Sequence, residues 1–232
     1  MKGVILAAGL GTRLRPLTYV MPKPLLPLGE KTILERIIEW FKSHGIEDII
    51  VLTYYLSRLI ESYLGDGRWM GVKISYVRFP PQGTAGQLYP LKEVVKERIA
   101  VINGDTITNL DLKDMANYHV NRNATMTIAV KRMKTPIRYG VIEVNSDGRV
   151  IEWREKPEVE YLANIGVYIL EPRALKYIPE NRPCPMNILV EKLLKAGEKV
   201  YAYISDADYY DIGTYDEYVK LNDLYSRRFK NI

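Results

Sequence analysis

Residues 3–15 read GVILAAGLGTRLR, an apolar run that stops at two glycines and continues into arginines. The run GVILAA has the composition of a buried strand, and the segment GLGTR follows it at residues 9–13. A strand that ends in glycines is typical of a place where the backbone must approach another group closely. Arg15 and Lys23 add positive charge just downstream. These features predict that the group approached at this point is an anion.

Strand and helix patterns alternate on both sides of this segment. After the strand at 3–8, the pattern predicts a helix at 32–44, a strand at 48–55, a helix at 57–65 and strands at 72–77 and 98–104. Further helices are predicted at 112–121, from Pro172, at 187–197 and at 214–228, and further strands at 124–133, 164–170 and 198–205. Asp147-Gly148 marks a hairpin turn within 139–157. The sequence therefore predicts an α/β fold: a Rossmann-like, mainly parallel sheet flanked by helices on both faces, with an antiparallel hairpin insertion.

Composition excludes several classes of protein. The 232 residues are 47% hydrophobic and 26% charged, which is ordinary for a globular chain, and we expect a single domain. No apolar run is long enough to span a bilayer, and the N-terminus does not resemble a signal peptide, so we expect a cytoplasmic protein with no membrane partner. One cysteine excludes an internal disulfide, and two histidines argue against structural zinc. The net charge of +5 suits anionic substrates but is too diffuse for nucleic acid, and the RRFK run at 227–230 is typical of a solvated tail.

The GLGTR segment fits neither common phosphate-binding fingerprint. It lacks the Lys-Ser/Thr pair of nucleotide-hydrolase loops, and Leu14 occupies the position of the third glycine of the dinucleotide pattern. Two glycines alone support a structural turn as well as a phosphate site. The position after a buried strand favours the phosphate site, because backbone N–H groups there can form an anion-binding concavity. Arg13 could then offer a bidentate fork, and Lys23 is stiffened by flanking prolines, although Lys23 could equally be an ordinary surface lysine.

Several ordered motifs together resemble a known family. LAAGLGTRLRPLT and PKPLLPLGEKTILERIIEW are followed by GTAGQL at 83–88, NGD at 103–105, YGV at 139–141, REKP at 154–157, NIGVYIL at 164–170 and DIGT at 211–214. This set, which covers nearly the whole chain, resembles the sugar-1-phosphate nucleotidylyltransferases, or nucleotide-sugar pyrophosphorylases. The mannose-1-phosphate guanylyltransferase-like branch is the nearest in pattern, with glucose-1-phosphate thymidylyl- and uridylyltransferases close to it.

The resemblance implies an enzyme that joins a nucleoside triphosphate to a sugar 1-phosphate and releases pyrophosphate. It implies a nucleotide-binding half at about 1–110 and a sugar-phosphate-binding half at about 111–232. Mg²⁺ is the implied cofactor, with Asp105 and Asp211 as its ligands, and Arg13, Lys23 and Asp105 are the implied catalytic residues. Judged without the family, either aspartate could instead form a turn or cap a helix.

Two further groups of residues follow from the resemblance. The implied nucleotide-binding residues are Ala8, Gly9, Gly11, Thr12, Arg13, Gln82, Gly83 and Gly86. The implied sugar-phosphate-binding residues are Gly140, Glu155, Lys156 and Asn164. Without the family, the charged positions 154–156 would be interpreted as a solvated hairpin edge.

The sequence also departs from the family pattern and leaves alternatives open. Gln82 stands where Leu is commoner, Pro90 interrupts a helix expected after GTAGQL, and PCPMN at 183–187 lacks an expected acidic residue. Two other classes of protein are alternatives to the nucleotidylyltransferase. A nucleotide-sugar glycosyltransferase is one, because Asp206-Ala-Asp208 matches the Asp-x-Asp metal motif of that class. A non-catalytic paralogue that binds nucleotide sugar as a regulatory subunit is the other. We expect no C-terminal left-handed β-helix like that of longer relatives. The nucleobase, the sugar and homo-oligomer formation stay open.

Overall fold

The computed structural model describes residues 1–180 and 182–227, so residues 228–230 of the basic run lie outside the described residues. Five α-helices are present in this part of the chain: α1 (Ile33–Ser43), α2 (Ser57–Leu64), α3 (Leu112–Asn121), α4 (Met186–Lys195) and α5 (Tyr215–Arg227). None of the helices in the described residues is long and apolar enough to cross a membrane.

Thirteen strands are found in the same part of the chain. They are β1 (Lys2–Ala7), β2 (Pro27–Leu28), β3 (Lys31–Thr32), β4 (Asp48–Thr53), β5 (Lys73–Arg78), β6 (Ile99–Asn103), β7 (Thr106–Thr108), β8 (Met126–Pro136), β9 (Val141–Val144), β10 (Val150–Arg154), β11 (Glu158–Leu170), β12 (Val200–Ile204) and β13 (Tyr209–Asp211).

Seven strands form the central sheet in the order β12-β8-β11-β6-β1-β4-β5. The pairs β1–β4, β4–β5, β1–β6 and β8–β12 are parallel, and only β11 runs antiparallel to its neighbours β6 and β8. The carboxyl ends of β1, β4 and β6 therefore meet at one edge, where ligand crevices open in sheets of this kind. The predicted mainly parallel α/β fold is confirmed.

Helices cover both faces of this sheet. One core packs α1, α2, α3 and α5 against side chains such as Ile5 and Ile102, and the other packs α4 and short 3-10 helices against Val4 and Leu6. Helix α1 illustrates how sequence sets an element: Thr32 and Glu35 form a reciprocal capping box at its start, and its apolar face is buried.

Three predicted elements differ from the observed ones. Pro90 lies inside a 3-10 helix, Gly86–Leu91, and no α-helix forms there, because proline lacks the N–H that an α-helix needs. The segment that begins at Pro172 is also a 3-10 helix, Pro172–Tyr177. The strand predicted at 164–170 is longer, since β11 begins at Glu158 and pairs with an extended β8.

The outer parts of β8 and β11 and the β9–β10 hairpin, residues 131–163, are here called the arm. The predicted hairpin is confirmed, with Gly148 at φ +82° in its turn. Most arm residues are exposed, including Tyr139 at 79% and Trp153 at 61%. The arm carries three of the four residues predicted for the sugar-phosphate half in or next to its hairpin.

Candidate active site

The loop after β1 presents its backbone at the carboxyl edge of the sheet. Gly11 has φ +61°, and its carbonyl accepts hydrogen bonds from Thr18 Oγ1 at 2.8 Å and from the Leu14 N–H at 3.0 Å. A Cβ atom added at Gly11 would lie 3.0 Å from Thr18 Cγ2, whereas one added at Gly9 would meet nothing within 4 Å. Gly11 is therefore required by the loop's own packing, and Gly9 borders open space.

A cavity of about 190 Å³ lies beside this loop. It brings the glycines and Arg13 together with Lys23 and Asp105, which are distant in sequence. Its lining residues are Leu6, Ala7, Gly9, Gly11, Thr12, Arg13, Leu14, Lys23, Pro24, Gly104, Asp105 and Gly213. The structure thus gathers at one cavity all three residues that the sequence predicts to be catalytic.

Lys23 is held in this cavity by an ion pair. It begins the 3-10 helix Lys23–Leu25, only 9% of the residue is exposed, and its Nζ lies 2.5 Å from Asp105 Oδ2. The alternative of an ordinary surface lysine is wrong. A buried ammonium needs a partner, and Asp105 supplies it from the end of β6.

Asp105 and Asp211 come together through the small β7–β13 ladder. Asp211 is paired with Thr106, the residue after Asp105, and the Ile212 N–H donates to the Asp105 carbonyl at 3.1 Å. Burial raises the pKa of Asp211, and the negative charge of Asp105 raises it further, while Lys23 and Arg13 act in the opposite direction. Asp211 is thus a half-buried carboxyl group whose negative charge is opposed first by burial and then by the charge of Asp105.

This donor set fits a hard divalent cation with few protein ligands. Two mutually repelling carboxylates attract such an ion, and oxygen atoms are the ligands that it prefers. No group of three or more acidic, histidine or cysteine side chains that could hold a metal occurs within residues 1–180 and 182–227. The other ligands would therefore have to be substrate oxygens and water, which is how Mg²⁺ is commonly bound beside phosphates.

Arg13 faces the same acidic turn. A Cβ atom added at Gly213 would lie 3.2 Å from Arg13 Nη1 and 3.4 Å from Asp211 Oδ2, so guanidinium and carboxylate flank this glycine. Glu217 holds the turn by accepting hydrogen bonds from the N–H groups of Gly213 at 3.1 Å and Thr214 at 2.8 Å. Sequence reasoning missed Glu217, although the T-x-x-E spacing before α5 is a readable capping signal.

A second loop, residues 82–88, carries Gln82, Gly83 and Gly86. Backbone hydrogen bonds attach it to Cys184, whose N–H donates to the Gln82 carbonyl at 2.7 Å and whose carbonyl accepts from the Gly86 N–H at 2.8 Å. Gly83 has φ +78°, and a Cβ atom there would lie 2.6 Å from the Pro185 nitrogen. Packing on residues 184–185 thus explains Gly83, whereas a Cβ atom added at Gly86 would lie 3.0 Å from Gln82 Cβ.

Gln87 connects this second loop to the first. Its Oε1 accepts a hydrogen bond from the Ala8 N–H at 3.4 Å, and only 7% of the residue is exposed. Ala8, between β1 and the loop at residues 9–13, is therefore held by a contact that the sequence reasoning did not anticipate. The motif GTAGQL was interpreted through its glycines, and nothing in the sequence around Gln87 indicated that its side chain contacts Ala8.

Asn164, which is predicted to bind the sugar phosphate, lies at an irregularity in β11. The pairing with β8 shifts between Asn164 and Tyr168, and the two side chains are joined by a hydrogen bond of 2.7 Å from Nδ2 to the hydroxyl group. Burial raises the pKa of Tyr168, and the charge of Asp105 adds to the effect. The hydrogen bond from Asn164 acts in the opposite direction and lowers the pKa of Tyr168.

Gly140, Glu155 and Lys156 sit on the arm. A Cβ atom added at Gly140 would lie 2.8 Å from Trp153 Cζ2 and 3.1 Å from Glu155 Oε2, and Trp153 Nε1 donates to that oxygen at 3.2 Å. Lys156 has φ +45°, an uncommon conformation for a side-chain-bearing residue. No hydrogen bond or ion pair joins Glu155 or Lys156 to the cavity residues in the described part of the chain. Their role in the site stays a prediction.

The Asp206-Ala-Asp208 motif is built into a separate loop contact. The Asp208 carboxylate accepts from Asn109 Nδ2 at 3.2 Å, and the Asp208 N–H donates to Asn109 Oδ1 at 2.7 Å. This aspartate therefore has a structural partner next to β7.

Comparison with known proteins identifies the family to which the chain belongs. A family model described as nucleotidyl transferase matches residues 2–228. The chain is 35% identical over 225 residues to the D-glycero-alpha-D-manno-heptose 1-phosphate guanylyltransferase of Aneurinibacillus thermoaerophilus, covering 95% of this chain and 96% of that protein. It is 33% identical to the UTP–glucose-1-phosphate uridylyltransferase of Synechocystis sp., over 100% of this chain and 65% of that protein. It is 31% identical to the mannose-1-phosphate guanylyltransferase of Mycobacterium tuberculosis, over 94% of this chain and 62% of that protein. The chain thus spans less than two thirds of the length of the Synechocystis and Mycobacterium relatives.

Solved structures give the same result. A Bacillus anthracis protein assigned as a glucose-1-phosphate thymidylyltransferase, solved with sucrose, superimposes with a TM-score of 0.80 at 28% identity, covering 97% of this chain and 95% of that one. HddC from Yersinia pseudotuberculosis, complexed with GMP-PN, gives a TM-score of 0.75 at 25% identity, covering 97% and 99%. The family predicted from the sequence motifs is confirmed: this chain belongs to the nucleotidyl transferase family.

Proposed function

We propose that the chain is a Mg²⁺-dependent sugar-1-phosphate nucleotidylyltransferase. The observation that carries the proposal is the cavity in which Arg13, Lys23 and Asp105 meet beside Asp211. Positive side chains and a backbone loop suit a triphosphate, and the adjacent carboxylates suit the metal that accompanies it. Nucleotidyltransferases of this family generally use a divalent metal.

The reaction would join the two substrates at the α-phosphate of the triphosphate. The sugar phosphate is its own nucleophile, because the second pKa of a phosphate monoester is near 6 and the dianion predominates at neutral pH. No histidine base is required at this site. What the protein must supply is charge neutralisation and in-line positioning.

Each residue has a distinct task in this proposal. The loop at 9–13 would hold the triphosphate through backbone N–H groups, and Arg13 would neutralise charge that develops as pyrophosphate leaves. Lys23 would exchange its contact with Asp105 for a phosphate oxygen. Asp105 and Asp211 would hold Mg²⁺, which when bound would polarise the reacting phosphate.

The sugar-phosphate half would be formed by Asn164 and by the arm residues Gly140, Glu155 and Lys156. Glu155 can accept hydrogen bonds from sugar hydroxyl groups, and Lys156 can pair with the sugar phosphate. Gln82, Gly83 and Gly86 would border the base.

A guanylyltransferase acting on a manno-configured sugar 1-phosphate is the first specific candidate. Mannose 1-phosphate follows from the motif resemblance, and a heptose 1-phosphate becomes a second candidate because the Aneurinibacillus relative matches over 95% of this chain and 96% of its own length. Thymidylyl- or uridylyltransfer to glucose 1-phosphate is the remaining alternative.

Pyrophosphate release tests the proposal directly. The purified chain with Mg²⁺ is assayed with GTP, UTP, dTTP, ATP and CTP against mannose, glucose and manno-heptose 1-phosphates. We expect release that depends on both substrates and on the metal. Absence of release with every pair, or release without a sugar phosphate, would contradict the proposal.

A further inference from the structure

Gln87 is a buried amide between the two loops of the site, and the donor group at the end of its side chain is unused. The Ala8 main-chain N–H can only donate, so the side-chain atom that faces it at 3.4 Å is the acceptor Oε1. The remaining Nε2 group must therefore be directed away from Ala8. It makes no hydrogen bond to any residue within 1–180 and 182–227.

Gln87 lies between the two loops that are proposed to hold the nucleotide. Gln87 follows Gly86 directly, and its own N–H donates to the Gly83 carbonyl at 3.2 Å, so it belongs to the loop proposed to border the base. Ala8 is the first residue of the other nucleotide loop. The Nε2 group is not one of the completely sealed, unpaired polar atoms of the described chain, which leaves it reachable from solvent.

The position of this donor is rigid. Leu88, next in the chain, is fully buried, and Ala85 is buried as well. The two backbone hydrogen bonds to Cys184 hold the loop from the other side, and the Met186 N–H donates to Thr84 Oγ1 at 3.0 Å. A fixed donor in a largely buried site discriminates between ligands better than a mobile one, because a wrong ligand atom leaves it unpaired.

We propose that Gln87 selects nucleobases that carry an exocyclic carbonyl, through donation from Nε2 to that oxygen. Guanine O6 and uracil or thymine O4 are acceptors, whereas adenine N6 and cytosine N4 at the corresponding positions are donors. The inference rests on the proposed nucleotidylyl transfer for its biological meaning, but its physical content is nucleotide binding. The names of the relatives reported above, guanylyl-, uridylyl- and thymidylyltransferases, all refer to bases of the carbonyl class.

Substitution of Gln87 by glutamate separates the role of the Nε2 donor from that of the oxygen that accepts from Ala8. Gln87→Glu keeps an oxygen that can accept from the Ala8 N–H and replaces the Nε2 donor by a second acceptor. The negative charge that it adds acts on every triphosphate, so the ratio of affinities between bases is the quantity compared. Gln87→Met removes both functions at similar volume and serves if the carboxylate is poorly tolerated. Gln82→Glu makes the same chemical change at another glutamine of the same loop.

Calorimetric titration with GTP, ATP, UTP and CTP in Mg²⁺, without sugar phosphate, measures the selectivity. For the wild type we expect affinity for GTP over ATP and for UTP over CTP of at least about tenfold, the scale of one discriminating hydrogen bond. Gln87→Glu should abolish or invert both ratios, Gln87→Met should bring them towards unity, and melting curves should show that each variant is folded.

The outcomes separate this inference from the proposed function. Wild-type binding without a carbonyl preference, or unchanged ratios in both Gln87 variants, overturns the inference. A shift of the ratios in Gln82→Glu with none in Gln87→Glu assigns base selection to Gln82 and also overturns it. If the expected ratios are found and no sugar phosphate supports pyrophosphate release, the inference stands and the proposed transfer reaction fails.

Discussion

The ammonium group of Lys23 lies 2.5 Å from Oδ2 of Asp105, although the two residues are separated by 82 positions in the sequence. Both residues line the cavity beside the loop at residues 9–13, and Asp105 follows the end of β6. It neutralises a lysine that is largely removed from water. The same carboxylate also faces Asp211, so Asp105 has one attractive and one repulsive neighbour.

This asymmetry predicts opposite stability effects for two conservative changes. Asp105→Asn removes the charge that compensates Lys23 and should destabilise the metal-free protein by about 1–3 kcal/mol, less than for a fully buried pair because Asp105 is partly exposed. Asp211→Asn removes the group whose pKa is raised by burial and by Asp105, and should raise the melting temperature. Both variants should lose at least about 100-fold in turnover at saturating Mg²⁺.

Melting curves in EDTA and pyrophosphate-release assays in Mg²⁺ measure the two properties separately. A raised folded-state pKa means that ionised Asp211 destabilises the fold, so the advantage of Asp211→Asn should grow as the pH rises through the acidic range and persist at neutral pH. Equal destabilisation by both changes would show that the two carboxylates are not electrostatically distinct. Near-normal turnover in either variant would remove that aspartate from the metal site.

The two arginines at residues 13 and 15 provide a second matched pair. Arg13 borders the cavity and the Asp211 carboxylate, whereas the Arg15 guanidinium lies 4.9 Å from the centre of the Tyr19 ring and does not line the cavity. Arg13→Ala should slow turnover by about 10²–10³-fold, and Arg13→Lys should restore only part of it because lysine lacks the planar fork. Arg15→Ala should cost less than about tenfold on the same scale. Steady-state kinetics on the three variants decide between these roles, and comparable losses for Arg13→Ala and Arg15→Ala would refute the assignment.

The sheet and the position of the glycine loop at its carboxyl edge could be predicted from the sequence because each rests on a local pattern. Strand β1 is apolar and ends in glycines, and helix α1 carries both its capping box and its apolar stripe within one short stretch. The convergence of Lys23 and Asp105 followed from family motifs. The ion-pair partner of the buried Lys23 could not be inferred from the residues around it, since an ion pair between residues 82 positions apart leaves no periodic pattern in the sequence.

The features that sequence reasoning missed depend on contacts between distant loops. The link from Gln87 to Ala8 and the support of residues 82–86 by Cys184 join segments about 80 and 100 residues apart. The Pro90 segment was expected to be helical and is a 3-10 helix, because the missing N–H prevents a continuous α-helix. The arm strands β9 and β10 are exposed on both faces. Their sequences therefore lack the alternation of apolar and polar residues that would have indicated which face is turned towards the site.

The two loop glycines should respond differently to an added methyl group. Gly11 is in the left-handed region and a Cβ atom would press on Thr18, so Gly11→Ala should cost about 1–2 kcal/mol and lower the melting temperature by about 2–8 °C. Gly9 has open space around the added atom and lines the cavity, so Gly9→Ala should leave the melting temperature unchanged and weaken nucleotide binding by about tenfold. Differential scanning fluorimetry and calorimetric titration test the contrast. If Gly9→Ala binds nucleotide normally, the phosphates do not approach that part of the loop.

The arm residues should affect one substrate only. Lys156→Ala and Glu155→Ala should raise KM for the sugar 1-phosphate by about tenfold or more, because each removes a charged contact proposed for that substrate alone. Nucleotide affinity, titrated without the sugar phosphate, should stay within error of the wild type. Arg149→Ala, at the exposed turn of the same hairpin, is the control for a general change in the arm. A large loss of nucleotide affinity in Lys156→Ala would place this lysine in the nucleotide half.

A buried histidine at the opposite edge of the sheet should make folding sensitive to acid. His119 on α3 is 1% exposed, its Nδ1 lies 2.7 Å from Thr127 Oγ1, and its Nε2 lies 3.3 Å from Glu171 Oε1. Burial lowers the pKa of His119 and the nearby Arg98 lowers it further, in opposition to Glu171. The imidazole is therefore neutral in the folded chain at pH values where an unfolded chain would already bind a proton.

The direction of the pH effect follows from this difference in proton binding. A histidine in the unfolded chain titrates near pH 6.5. The stabilisation that neutral His119 contributes is therefore fully present above that pH and is lost as the pH falls towards the lower pKa of the folded chain. The loss amounts to about 1.4 kcal/mol of unfolding free energy for each unit by which folding lowers the pKa. His119→Gln keeps hydrogen-bonding groups but cannot titrate, so its melting temperature should fall less than that of the wild type between pH 7 and pH 5.5. His44→Gln, which changes the only other histidine in the chain, should retain the wild-type slope. Melting curves across this range measure all three proteins, and parallel slopes for wild type and His119→Gln would show that carboxyl groups, and not His119, determine the acid sensitivity.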